Sequence, residues 1–191
     1  RDQETVEIGL RGALTGHFVL STLHTNDAVT SALRLLDMGA ASYLVASALR
    51  VIIAQRLVRR VCHNCGVEYQ PTPQEKAWLS SVSRKDFTHA NFRIGTGCQS
   101  CNGSGYRGRI GIFEILELDE KMIDAMRTGN PQDFARAALQ SPNFTPLAES
   151  ALQYLSEGMT TIEEVAKLVE DVSESQIPLS KDIISQQGVE A

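Results

Sequence analysis

Four cysteines in two Cys-x-x-Cys pairs, Cys62/Cys65 and Cys98/Cys101, constrain this chain more than any other feature. A two-residue spacer lets one tight turn present both sulfurs to a single tetrahedral ion, so two such turns make one closed Zn²⁺ site. The 32 residues between the pairs exceed a usual zinc-ribbon loop. Such an insertion is tolerated because loop-closure entropy grows only logarithmically with length. Gly66, Gly97, Gly103 and Gly105 flank the pairs and suit turns that aim backbone N–H groups at sulfur. Two disulfides or a dithiol redox pair are the competing readings. Disulfides need an oxidising compartment, and the opening RDQETVEIGL has neither the basic nor the apolar region of a secretory signal. Redox work needs one pair and leaves the second unexplained. Structural zinc held by Cys62, Cys65, Cys98 and Cys101 is therefore favoured, in a site with no position open to substrate. His63 adjoins Cys62, chelates awkwardly with it, and reads as a solvated loop histidine.

The rest of the composition is that of a folded protein: 191 residues, 42% hydrophobic and 21% charged, enough for one good core or two small ones. Net charge is −5 and no Lys/Arg run exceeds Arg59-Arg60, which argues against nucleic acid as a partner. The most apolar window, Ala40–Ala54, falls short of the ~20 residues of a bilayer span and is interrupted by Arg50, so no membrane insertion is expected.

Helical spacing after a cap at Asp2 predicts a first helix that stops at Thr15-Gly16. Phe18-Val19-Leu20 then runs into Ser21 without polar alternation, as a parallel strand buried on both faces does. Asn26 or Asp27 caps a helix that closes at Gly39. A longer helix is expected over Ser42–Val61, with Arg50, Arg56, Arg59 and Arg60 reaching solvent. Further helices are read at Pro73–Val82, Pro131–Leu139, Pro146–Glu157 and Ile162–Val172, the last behind a Thr161-x-x-Glu164 capping box. A strand is read at Ile110–Leu116. Met122, Met126, Leu152 and Leu155 read as helix core, and Glu163, Glu164, Glu170 and Asp171 as a solvated face. With two confident strands, most of any sheet is expected upstream of Arg1.

The stretch GHFVLSTLHT sets His17 and His24 at opposite ends of an apolar run, roughly 23 Å apart if extended at ~3.3 Å per residue. Ser21, Thr22, His24 and Thr25 fall at the carboxyl end of the expected strand, before a helix N-terminus. Ligands of open α/β sheets collect there, and a phosphate sensor fits. Equally, these polar residues can serve only to close a turn.

The order of motifs adds a resemblance. Arg1-Asp2-x-Glu4-Thr5 resembles the tail of the G-E-x-R-D-x-E-T segment of the secretion and type IV pilus assembly ATPases, and Gly16-His17-x-x-x-Ser21-Thr22-Leu23-His24-Thr25-Asn26 resembles their histidine box. Ala54-Gln55-Arg56-Leu57-Val58-Arg59, the cysteine pairs and Gly105-Tyr106-x-Gly108-Arg109-x-Gly111-Ile112-x-Glu114 continue it in the same order over about residues 1–170. The tetracysteine element is similar to that of the type II secretion and pilus-extension branch.

The resemblance implies an α/β fold: the C-terminal part of a RecA-like ATPase core with a small zinc-binding subdomain and a C-terminal helical region. It divides the chain into core (1–61), zinc subdomain (62–108), strand and helices (109–172) and a mobile tail (173–191). It implies a hexameric ring, cytoplasmic and peripheral at the inner membrane, that hydrolyses Mg·ATP to assemble pilin-like subunits against a membrane platform protein. His24 would read the γ-phosphate or a neighbouring subunit, with His17 in support. Ser21 and Thr22 would shape the loop, and Arg1 and Asp2 would close the Walker B region. No G-x-x-x-x-G-K-[ST] occurs in the chain, so alone it should handle ATP poorly. The competing expectation is a zinc-stapled protein-binding module, since CQSCNGSG also matches the C-x-x-C-x-G-x-G repeat of a heat-shock chaperone zinc domain.

Overall fold

The computed structural model describes residues 2–83 and 85–173. Arg1, and beyond Ser173 the segment read as a mobile tail, lie outside the described residues. Along the chain run α1 (Gln3–Leu14), α2 (Ala28–Asp37), α3 (Ser42–Ala48), β1 (Val51–Val61), β2 (Gly66–Glu68), α4 (Pro73–Val82), β3 (Arg93–Gly95) and β4 (Tyr106–Glu117). Four helices close the order: α5 (Glu120–Thr128), α6 (Pro131–Gln140), α7 (Leu147–Ser156) and α8 (Ile162–Ser173). The described chain forms two compact units, each from separated segments: 1–53 with 115–144, and 54–114 with 145–172.

The first unit is helical. Asp2 caps α1 by accepting the Thr5 N–H at 2.8 Å, and Asp27 caps α2 by accepting that of Thr30 at the same distance. The chain leaves α2 through Gly39 at φ 88°, a left-handed turn that disfavours any side chain. Helix α3 packs on α1 and α5, and α6 packs on α5 and α2. Met122 and Met126 of α5 and Phe134 and Ala138 of α6 are buried within this cluster. The sequence marks those methionines as core, and the Asp119 cap and Gly129 stop around them define the helix α5.

Two expectations for this unit are corrected. Phe18–Ser21 forms no strand and is not buried on both faces: Phe18 is 90% exposed and Leu20 82%. No sheet among the described residues has more than two strands, so this extended run has no neighbour to pair with. The single helix expected over 42–61 ends at Ala48, where Leu49 turns extended at φ −72°, ψ 130°. From Val51 the chain is strand β1, so Arg50 and Arg56 are not helical. The apolar residues of 44–58 satisfy a period of 3.6 and a period of 2 alike. Pairing with a distant strand settles the choice, and the β-branched Val51, Ile52, Ile53 and Val58 suit it.

The second unit is built on β1 and β4, which pair. Hydrogen bonds at opposite ends, from Cys62 N–H to Gly105 O and from Leu118 N–H to Arg50 O, make them antiparallel. Burial alternates along both strands, with Ala54, Val58, Ile112 and Glu114 inward and Leu57 and Phe113 outward. A shorter antiparallel pair, β2 with β3, aligns Gly66 with Gly95 and Glu68 with Arg93. The insertion between the cysteine pairs holds α4, opened by Pro73 behind a complete capping box of Thr72 and Glu75.

Helix α7 buries Leu147, Ala151, Leu152 and Leu155, and α8 buries Val165, Leu168 and Val172. Each larger aliphatic side chain among them contributes about 1.5–3 kcal/mol. Helix α7 has no side-chain cap of its own behind Pro146. The buried Glu114 carboxylate of β4 supplies one, accepting the Leu147 N–H at 2.8 Å.

Candidate functional site

The four sulfurs converge. All lie within 4.8 Å of one another, and all four cysteines are free. Three separations are 3.9 Å (Cys62–Cys98), 3.8 Å (Cys65–Cys101) and 3.7 Å (Cys98–Cys101). A tetrahedron of sulfurs ~2.3 Å from a Zn²⁺ has edges of ~3.8 Å, which these three separations match, so the donor set suits zinc. Cys62 and Cys101 are buried and Cys65 and Cys98 half-buried. His63 is exposed and outside the cluster.

Backbone geometry aims the ligands. The N–H groups of Cys98 and Gly105 donate to Cys101 Sγ at 3.2 and 3.3 Å. Burial opposes ionisation of Cys101, yet these two donors and the neighbouring thiols bring it down to about 6, while burial pushes Cys65 up to about 12. Cys101 thus ionises ahead of Cys65, and a bound cation would draw the sulfurs to thiolates. Close backbone crossings fix the second turn. A Cβ on Gly95 would sit 1.9 Å from Gly105 O, and one on Gly97 2.7 Å from Gly103 O, so neither position admits a side chain.

Beside the knuckle, residues of two motifs interlock. The Arg59 guanidinium lies 4.0 Å from the centroid of the Tyr106 ring and pairs with Glu164 at 2.7 Å. The Arg59 N–H donates to the second Glu164 oxygen at 2.8 Å, the Thr160 hydroxyl to Arg59 O at 2.9 Å, and Tyr106 and Thr161 share a 2.9 Å hydroxyl contact. This corrects one sequence reading. Arg59 reaches solvent as expected and also stacks on Tyr106, whereas Glu164 is no solvated carboxylate, its side chain being only 10% exposed. Its capping box is half made: the Glu164 N–H meets Thr161 Oγ1 at 3.4 Å, while the carboxylate goes to Arg59. Burial works against ionising Glu164, and the Arg59 bonds outweigh it and hold the carboxyl below its usual range. The motif letters flagged Arg59, Tyr106 and Glu114 without saying what they do. Only the fold shows the brace and the α7 cap.

The histidine segment is different in kind. His17 Nδ1 lies 3.1 Å from Thr15 Oγ1 and 3.2 Å from Gly12 O, which ties the ring back to the end of α1. Ser21, Thr22 and His24 are exposed in irregular chain. Thr25 Oγ1 meets Ser31 Oγ, which also donates to Asp27 O at 2.7 Å. The α2 N-terminus that the sequence offers to an anion is filled by the buried Asp27 carboxylate. Asp2 caps α1, where the Thr5 N–H lowers its carboxyl pKa.

Fold and site define a mixed α/β chain with a four-cysteine knuckle. The family model described as type II/IV secretion system protein matches residues 1–167, and the chain belongs to that family. It is 39% identical over 165 residues to the type IV pilus assembly ATPase PilB of Thermus thermophilus, covering 86% of this chain and 18% of that protein. It is 36% identical to the type II secretion system protein HxcR of Pseudomonas aeruginosa, covering 90% and 32%. To the type II secretion system ATPase E of Vibrio cholerae it is 34% identical, covering 90% and 33%. The chain thus spans a third or less of the length of these relatives. The X-ray structure of the Yersinia pseudotuberculosis ATPase DotB shares the fold, with a TM-score of 0.58 at 18% identity over 90% of this chain and 35% of that one. Among the described residues no helix is long and apolar enough to cross a membrane.

Proposed function

We propose that the chain is the C-terminal part of a hexameric motor that hydrolyses Mg·ATP to assemble pilin or pseudopilin subunits, acting in the cytoplasm against an inner-membrane platform protein. One observation carries this reading: the family match over residues 1–167, with relatives named as pilus assembly and type II secretion ATPases. In this motor 1–61 belong to the ATPase core, 62–108 form the zinc subdomain and 109–172 the C-terminal strand and helices. Phe18–Ser21 becomes a sheet strand paired with chain outside these residues. Its exposed apolar side chains and the greater length of the relatives support that.

His24 reads the γ-phosphate or a neighbouring subunit, and His17 fixes the start of the box through its hold on the end of α1. Ser21 and Thr22 shape the loop, and Arg1 and Asp2 close the Walker B region. Because Asp27 fills the α2 N-terminus, phosphate contact falls to the His24 and Thr22 side chains and not to that helix end. Zinc on Cys62, Cys65, Cys98 and Cys101 staples a loop region and takes no part in hydrolysis. The 191 residues contain no phosphate-gripping G-x-x-x-x-G-K-[ST], so by themselves they turn over little Mg·ATP.

The test is phosphate release by the full-length parent ring, wild type against His24→Ala at matched assembly. A fall of tenfold or more, about 1.4 kcal/mol of barrier, supports the sensor role. An unaffected variant removes that role. An inactive wild-type ring removes the motor and leaves a zinc-stapled protein-binding module.

A further inference from the structure

The two Cys-x-x-Cys turns each carry a polar residue between their cysteines, Asn64 in the first and Ser100 in the second, and the Asn64 side-chain amide donates to Ser100 Oγ at 2.6 Å. This side-chain bond joins the two Cys-x-x-Cys segments directly. Both residues are exposed, so the bond lies on the solvent edge of the cluster. Other edges are held by backbone. The Cys62 N–H donates to Gly105 O at 2.9 Å, the Thr96 N–H to Cys65 O at 3.1 Å, and the β2–β3 ladder begins at Gly66 opposite Gly95.

We infer that Asn64 and Ser100 form a clasp that sets how fast the metal leaves the knuckle. The inference rests on the reading of the four cysteines as a zinc site. A closed tetrathiolate has no vacant position, so a competing chelator must first displace a sulfur. The half-buried Cys65 and Cys98 are the accessible ones. Each adjoins the clasp in sequence, Cys65 directly after Asn64 and Cys98 two residues before Ser100. Moving either sulfur off the ion requires its turn to swing from the other, and that motion breaks the clasp. The bond acts on the ligands without touching the metal, so both residues are positioning residues. Losing one exposed hydrogen bond that touches no ligand atom should speed release about fivefold to tenfold.

The experiment uses the purified 191-residue chain with its native metal. Zinc content is measured first, then the rate of zinc transfer to excess chelator for wild type, Asn64→Ala, Ser100→Ala and the double variant. Ser100→Thr keeps the hydroxyl. The expected result is one zinc per chain in all forms, release about fivefold to tenfold faster in each alanine variant, and no further gain in the double. Release in Ser100→Thr should stay near wild type. The Co²⁺-substituted forms should keep the tetrahedral tetrathiolate spectrum, which separates a faster exit from a damaged site. Equal release rates in wild type and both single variants overturn the clasp, as do additive effects in the double variant. A wild type without stoichiometric metal overturns the zinc reading itself, and the two failures are distinguished by that first measurement.

Discussion

The cysteine knuckle and the histidine segment are both short, Gly-flanked and rich in polar groups, yet the chain treats them oppositely. Around the sulfurs nearly every group is engaged: backbone N–H groups reach Cys101, glycines cross at Gly95–Gly105, and Arg59, Tyr106 and Glu164 interlock alongside. Between Phe18 and His24 the chain is irregular, and Phe18, Val19 and Leu20 stand in solvent. A site that must hold an ion in one geometry is over-determined from within. The histidine segment is not over-determined in this way: Phe18 and Leu20 are 90% and 82% exposed.

The largest effect expected is Cys101→Ser. It removes the sulfur that receives two backbone donors, and a structural zinc site is worth on the order of 10 kcal/mol in small metal domains. Stoichiometric zinc should be lost and 62–105 should become sensitive to limited proteolysis. His24→Ala should change neither zinc content nor melting temperature. Should Cys101→Ser keep its zinc and its protease resistance, the knuckle is not the over-determined region proposed here.

Next is Glu114→Ala. It leaves the buried Leu147 N–H without its acceptor and uncaps α7, for a loss of about 2–3 kcal/mol measured by chemical denaturation. Glu164→Gln should cost less, about 1–2 kcal/mol, because the Arg59 partner is 43% exposed and solvent screens the pair. This variant also has a pH signature. The folded Glu164 carboxyl titrates below its ordinary 4.5, so its contribution is present above that value and lost as pH falls through the folded one. Wild type and Glu164→Gln should therefore differ at pH 7 and converge as acid is added below about pH 4.5. A gap that does not narrow at all as the pH falls below 4.5 would mean that packing, and not the ion pair, carries the effect.

The knuckle could be read before any fold existed because two-residue Cys spacing is a local rule that needs no neighbour. Helix α4 was legible for the same reason: Pro73 supplies a first helical residue, and the matching stop falls at Val82. Strand β1 was not. Residues 44–58 fit two periodicities, and β1 becomes a strand through pairing with β4, whose residues lie more than 40 positions later. The Glu114 cap and the Arg59–Tyr106–Glu164 brace escaped for a related reason, since each joins positions far apart in sequence. Phe18–Ser21 shows the converse: its apolar run carries the pattern of a buried strand, and the described residues include nothing that buries it.

That run gives the smallest expected effect and the sharpest use of the comparison. In the 191-residue chain Phe18→Ser and Leu20→Ser should each change stability by less than about 0.5 kcal/mol, because side chains 90% and 82% exposed have little burial to lose. Leu152→Ala, from a fully packed position of α7, should cost about 2–5 kcal/mol in the same measurement. In the full-length parent the two serine substitutions should move into the range of the Leu152 variant, because a strand covered by its sheet loses transfer energy and gains a cavity. The change in cost between the two chains reads directly how much of the Phe18–Ser21 surface the longer protein covers. If the substitutions stay silent in the parent as well, that surface is exposed there too, and the histidine box is not the edge of a central sheet.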